Sequence, residues 1–241
     1  MGGVMTLFIE TLFWILRLDI RLRLTVQQMA ILGVNSIFIV AITTCFAGAV
    51  ISLQLANLAV RYGLAKFVGG GVGISMAREF APMLTAIVVA GRAGSAITAE
   101  IGSMKVTEQI DALEAMATSP VKYLVVPRFI ACLTMLPILT LFANIAGVLG
   151  GSVVASLLAG ITPTMFYDSI RMMVNMNDFW GGIHKSLFFA AEVAMISCYQ
   201  GLTTKGGAAG VGIATTGSVV FSMIVIFITN YFLSAWLFPP I

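Results

Sequence analysis

From Met29 to Val60 the chain runs through 32 residues without one charged side chain. As a helix that run is ~48 Å long, well over the ~30 Å of a bilayer's hydrocarbon layer. A chain of 241 residues could not hide such a helix inside a soluble core, because only 10% of its residues are charged, against roughly a quarter in soluble domains. Lipid has to be the solvent for most of the surface, and in lipid each segment must satisfy its own backbone hydrogen bonds. The fold class that follows is all-α.

Further apolar runs lie at roughly 80–102, 124–158, 186–203 and 214–238. Together with 29–60 they predict about five transmembrane helices in one transmembrane domain over 1–241. The opening run, Met1 to Leu16, falls short of the ~20 residues that span and leads into Arg17, Arg21 and Arg23. Segment 1–24 therefore reads as an interfacial helix with a basic connector, with a truncated first span as the other reading. Gly69, Gly70, Gly71 and Gly73 are expected to break the helix before the second span. Pro82, a good first-turn residue, is expected to open that span. The mixed stretch 160–185 is expected outside the bilayer, in part as a short surface helix. With five spans, seven loop cations (Arg17, Arg21, Arg23, Lys105, Lys122, Arg128, Lys205) fall on one side and four (Arg61, Lys66, Arg171, Lys185) on the other. That bias puts the N-terminus in the cytoplasm.

Several functions are disfavoured. A net charge of +3 with scattered arginines gives no nucleic-acid footprint. Cys45, Cys132 and Cys198 lie far apart in apolar runs and read as packing residues. One histidine supports neither a Ser/His/Asp set nor a His/Cys metal site. No G-x-x-x-x-G-K-[ST] loop is present, so this chain is not expected to bind or hydrolyse nucleotide. No catalytic residue, metal ligand or cofactor of its own is expected.

Four features remain. Segment 103–118 carries Val106, Ile110, Leu113 and Ala117 at helical spacing, with Glu108, Asp111 and Glu114 as an acidic edge. An acidic amphipathic helix on the basic side of a membrane protein suits a basic protein partner; a solvated connector is the plainer reading. The second span shows Ala86, Ala90, Gly94, Thr98 and Gly102 four apart, a face that allows close helix approach. Arg92 and Glu100 in the same span read equally as buried polar glue or as substrate contacts. Arg78-Glu79 heads that span, where a guanidinium suits phosphate and a carboxylate suits an amine or a gate. Ile51, Leu55, Leu58 and Tyr62 form a stripe on the first span, by periodicity an ordinary packing face or the wall of a greasy pocket.

The run REFAPMLTAIVVAGRAGSAITAEIGSMKVTEQIDALEAM, followed by PVKYLVVPRF, resembles the permease of the maintenance-of-lipid-asymmetry ABC transporter, the MlaE/YrbE family. The resemblance implies a phospholipid transporter of the bacterial inner membrane, built on a permease homodimer. It further implies two cytoplasmic ATPase subunits, which use ATP and Mg, and a periplasmic hexamer of MCE-domain chains. Segment 103–118 would be the coupling helix, with Glu108, Ile110, Asp111, Leu113 and Glu114 facing the ATPase. Ile51, Leu55, Leu58, Tyr62, Arg78 and Glu79, with Phe227, Ile228 and Tyr231 of the last span, would contact lipid. The same assembly could carry sterol, fatty acid or organic solvent. A lipid-modifying enzyme or a passive scaffold are rivals from other classes.

Overall fold

A computed structural model describes residues 2–17 and 21–239; Met1, positions 18–20 of the basic connector, and 240–241 lie outside the described residues. Among the described residues eight helices follow one another: α1 (Gly2–Leu16), α2 (Leu22–Arg61), α3 (Ala65–Val106), α4 (Gln109–Ala115), α5 (Val121–Ala159), α6 (Pro163–Met173), α7 (Met176–Leu202) and α8 (Gly207–Leu237). No strand occurs among the described residues. By length and composition α2, α3, α5 and α8 can each cross a bilayer. At 27 residues α7 is also long enough, and its apolar character is diluted by Asp178, Lys185 and Glu192.

The glycines at 69–73 do not interrupt the chain: α3 runs through them without a break. Their missing side chains are used for close packing instead. A β-carbon at Gly69 would collide with the main chain of Phe166 on α6, and one at Gly70 would strike Met173. Gly70 also donates its N–H to the Ser169 hydroxyl at 2.8 Å. The contact with α6 outweighs the roughly 1 kcal/mol helix penalty of each glycine.

Pro82 likewise lies inside α3 rather than at its head. The preceding residues Met76–Phe80 form a π-helical turn, the local widening that lets a helix accommodate an extra residue. A proline cannot donate to the carbonyl four residues back, here that of Arg78. The Lys185 ammonium donates to that carbonyl at 2.8 Å. Further π-turns occur at Ala30–Val34, Ala90–Gly94 and Val121–Val125.

Segment 103–118 is not one helix. Ser103–Val106 completes α3, and the chain then turns sharply at Glu108, whose φ of 59° is left-handed. The separate seven-residue α4 follows and ends before Ala117, again left-handed at φ 56°. The apolar stripe is accordingly cut: Ile110 is buried, Leu113 half-buried and Ala117 exposed.

Toward the other terminus, Thr162 caps α6 by accepting from the Met165 N–H at 3.4 Å, with Pro163 in the first turn. Helix α7 begins ten residues before the expected 186, so Lys185 is not a loop charge. Helix α8 begins seven residues before 214, after Gly206 at φ +88°.

Contacts group the chain into two compact units, one of Met1–Ser36, Ala86–Leu136 and Leu187–Ile228, the other of Ile37–Thr85, Pro137–Ser186 and Thr229–Ile241. In the first, α1 buries Leu7 and Thr11 and sets Phe8 edge-on to Phe129 of α5, centroids 6.0 Å apart. There too, the small-residue face of α3 meets α7, and the Thr98 hydroxyl donates to the Ser197 carbonyl at 3.0 Å. In the second, α2 and α5 come so close that a β-carbon at Gly48 would strike the Gly147 main chain.

Candidate functional site

The second unit holds a cluster of charged and amide side chains drawn from α3, α7 and α8. Lys185 of α7 is fully buried. A buried ammonium is tolerated only when paired and hydrogen-bonded, and four oxygens surround this one. They are Glu79 Oε1 at 2.8 Å, the Arg78 carbonyl at 2.8 Å, Ser234 Oγ at 2.6 Å and Asn230 Oδ1 at 3.3 Å. The Glu79 carboxylate in turn accepts from Asn230 Nδ2 at 3.0 Å and from the Ser234 hydroxyl at 2.8 Å. Asn230 and Ser234 are one turn apart on α8, so a single face of that helix closes around both charges.

Beside it stands a second pair. Arg78 holds Asp178 of α7 through Nε at 2.8 Å and a terminal nitrogen at 2.6 Å, and Asp178 also accepts from the Asn175 N–H at 2.9 Å. In both pairs α7 contributes the hidden member and α3 the accessible one. Asp178 and Lys185 are 2% and 0% exposed, Arg78 and Glu79 36% and 35%. Asp178 and Lys185, seven residues apart, lie two turns along one face of α7. The π-turn at Met76–Phe80 presents the consecutive Arg78 and Glu79 to these two partners.

Arg78 and Glu79 open onto a pocket of about 430 Å³ walled by Ile74, Tyr231, Ser234 and Phe238. The Phe238 ring lies 4.6 Å from the Arg78 guanidinium and 5.4 Å from the Lys185 ammonium. The formal charges cancel within the cluster, two cations against two anions. Such a wall offers an apolar body a set of aromatic faces, and offers a polar head both donors and acceptors.

Of the residues singled out from sequence, Arg78, Glu79 and Tyr231 meet at this pocket. The α2 stripe does not line it: Ile51 and Leu55 are half-buried, Leu55 against Gly71, while Leu58 and Tyr62 are exposed. Phe227 and Ile228 are exposed and belong to the first unit. There Arg92 donates to the Ser36 hydroxyl at 2.9 Å, and Glu100 pairs with Arg128 at 2.7 Å. Glu108 and Glu114 are exposed, and Asp111 pairs with Lys105 at 2.7 Å. Sequence reading missed Asp178, Lys185, Asn230 and Ser234. Their signal was the i, i+7 and i, i+4 spacing of polar residues in otherwise apolar helices.

This architecture defines a multi-pass helical membrane protein with a polar cluster facing a partly aromatic pocket. The sequence profile described as Permease MlaE matches residues 25–236. A probable ABC transporter permease protein of Synechocystis sp. is 48% identical over 92% of this chain and 84% of its own length. One from Rickettsia typhi is 39% identical over 93% and 86%. The chloroplastic protein TRIGALACTOSYLDIACYLGLYCEROL 1 of Arabidopsis thaliana is 38% identical over 93% of this chain and 64% of its own. The chain belongs to the MlaE permease family.

Proposed function

We propose that this chain is the permease subunit of an ATP-driven phospholipid transporter. It works as a homodimer in a bacterial inner membrane, N-terminus in the cytoplasm, with two cytoplasmic ATPase subunits. It exchanges lipid with a periplasmic MCE-domain hexamer. Family membership and relatives named as ABC transporter permeases support the general reading. The Arabidopsis relative bears the name of a diacylglycerol glycolipid, which fits a lipid cargo.

The observation that carries the reading is the half-open Arg78–Glu79 edge beside Tyr231 and Phe238. One edge of Arg78 is committed to Asp178, and the remaining N–H groups can hold a phosphate oxygen. Aromatic and aliphatic walls take the adjoining acyl region. Ile51, Leu55, Leu58 and Tyr62 extend the lipid path in this account, and Phe227 and Ile228 of the first unit are lipid contacts proposed by themselves. ATP binding draws the ATPases together, the acidic α4 segment follows, and the lipid is expelled from the dimer. The exposed Glu108, Asp111 and Glu114 form the contact with the ATPase.

The internal neutrality of the cluster favours one second reading, in which the cargo is an uncharged or weakly polar amphiphile: a sterol, a fatty acid or an organic solvent. Mass spectrometry of lipid retained by the detergent-solubilised complex separates the two. Phospholipid at stoichiometric levels is expected; recovery of sterol or solvent alone would overturn the phospholipid reading.

A further inference from the structure

Phe238 stands one residue beyond α8, and Pro239 after it does not continue the helix. The Phe238 N–H still donates to the Ser234 carbonyl at 2.9 Å, so Asn230, Ser234 and Phe238 follow at single-turn steps along one face. The first two hold the Glu79 carboxylate. The third meets the cations: its ring lies under the Arg78 guanidinium at 4.6 Å and 5.4 Å from the Lys185 ammonium.

That ring has a seat. Gly181 of α7 is buried, and a β-carbon there would strike the Phe238 ring. A β-carbon on the next residue, Gly182, would strike the main chain of Ala77, immediately before Arg78. Glycine weakens a helix interior, so the adjacent pair in α7 is explained by what it admits, an aromatic ring at one position and the α3 backbone at the other. All of these residues belong to the second unit.

Arg78 is thereby held on two sides. Asp178 takes Nε and one terminal nitrogen, and the ring covers a face, which leaves the in-plane N–H groups available. An arginine side chain has much rotamer freedom, and freedom already lost before a ligand arrives does not weaken its binding. An aliphatic side chain could fill the same seat, but it would offer the cation no π face.

We infer that Phe238 is a positioning residue: seated at Gly181, its ring fixes the Arg78 guanidinium so that the remaining N–H groups meet the phosphate of a phospholipid in the pocket. The inference rests on the phospholipid reading of that pocket.

The test uses the detergent-solubilised transporter complex, with retained phosphatidylglycerol and diacylglycerol counted by mass spectrometry. A cation–π contact of this kind corresponds to roughly three- to tenfold in affinity. Phe238→Leu should lower phosphatidylglycerol retention by that factor and leave diacylglycerol, which has the acyl chains without the phosphate, near wild type. Phe238→Tyr keeps the ring and should restore most of the retention. Gly181→Ala displaces the ring without removing it and should reproduce the loss, so the two changes combined should lose no more than either alone. Gly181→Ala also carries the test should Phe238→Leu fail to fold. Full phosphatidylglycerol retention in either single variant, equal loss of the two lipids, or losses that add in the double variant would overturn the positioning role. In those outcomes wild type still holds phosphatidylglycerol. Its absence from wild type would instead overturn the cargo reading, and this inference with it.

Discussion

The Lys185 ammonium is shut off from solvent, while the Glu79 carboxylate that it meets at 2.8 Å keeps 35% of its side chain accessible. A pair with one face hidden and the other open is asymmetric. The buried cation fixes the position of the acid, and the acid remains able to meet a guest. This asymmetry distinguishes the cluster from an ion pair that serves packing alone.

It follows that the two members respond differently to removal. Lys185→Met strips Glu79 of its cation and the Arg78 carbonyl of a donor. It should destabilise the protein by about 2–4 kcal/mol, with solvent at Glu79 moderating the loss. Glu79→Gln keeps an acceptor for the ammonium, and Lys185→Met with Glu79→Gln should recover part of the loss. Thermal unfolding in detergent checks the order: the double variant should melt above Lys185→Met. The reverse order would show that the pair is not the stabilising unit.

Removing Asp178 acts on the neighbouring arginine. Asp178→Asn keeps the size of the side chain and releases Arg78 from its counter-charge. Phosphate-bearing amphiphiles should then be retained more tightly, by about threefold or more, as a newly uncompensated guanidinium meets the phosphate. Retention measured by mass spectrometry against wild type is the check. Arg78→Gln should move it the other way.

Glycine positions separate packing from chain flexibility. Gly69→Ala places a methyl group against the Phe166 main chain and should destabilise by about 1–3 kcal/mol. Gly217→Ala, in the middle of α8 with nothing within 4 Å of the added carbon, should be neutral or stabilising by up to about 1 kcal/mol. Melting points of both variants in one detergent decide it.

At the acidic segment, charge should matter for association and little for folding. The exposed Lys105–Asp111 pair is worth under about 1 kcal/mol, so Asp111→Asn should melt near wild type. Reversing Glu108, Asp111 and Glu114 to lysine should abolish recovery of the ATPase in a pull-down. Intact recovery would favour the solvated-connector reading.

Much of this fold was legible in the sequence because lipid imposes a simple rule: long uncharged runs become helices. Where local and tertiary preferences conflict, that rule fails. Gly69–Gly73 looked like a break because a glycine's preference is written in the sequence and the partner helix α6 is not. Pro82 looked like a helix start because the π-turn before it and the ammonium donating to the Arg78 carbonyl are tertiary facts. Lys185 was counted among loop charges since hydropathy alone cannot reveal the Glu79 carboxylate waiting for it. The acidic stretch 103–118 was recognisable by spacing, but its left-handed break at Glu108 carried no glycine to announce it. Arg78 and Glu79, by contrast, stood out as charges heading an apolar run, and the structure sets them at a pocket mouth.

The most direct test of the account replaces Tyr231 with a photoreactive phenylalanine analogue in the assembled transporter, in membranes whose phospholipid is radiolabelled. Tyr231 lines the pocket beside Glu79. Irradiation should label the permease with phospholipid, and Glu79→Lys should change the extent of labelling. Crosslinks to protein alone, with no lipid attached under any nucleotide condition, would contradict the claim that this pocket holds the cargo.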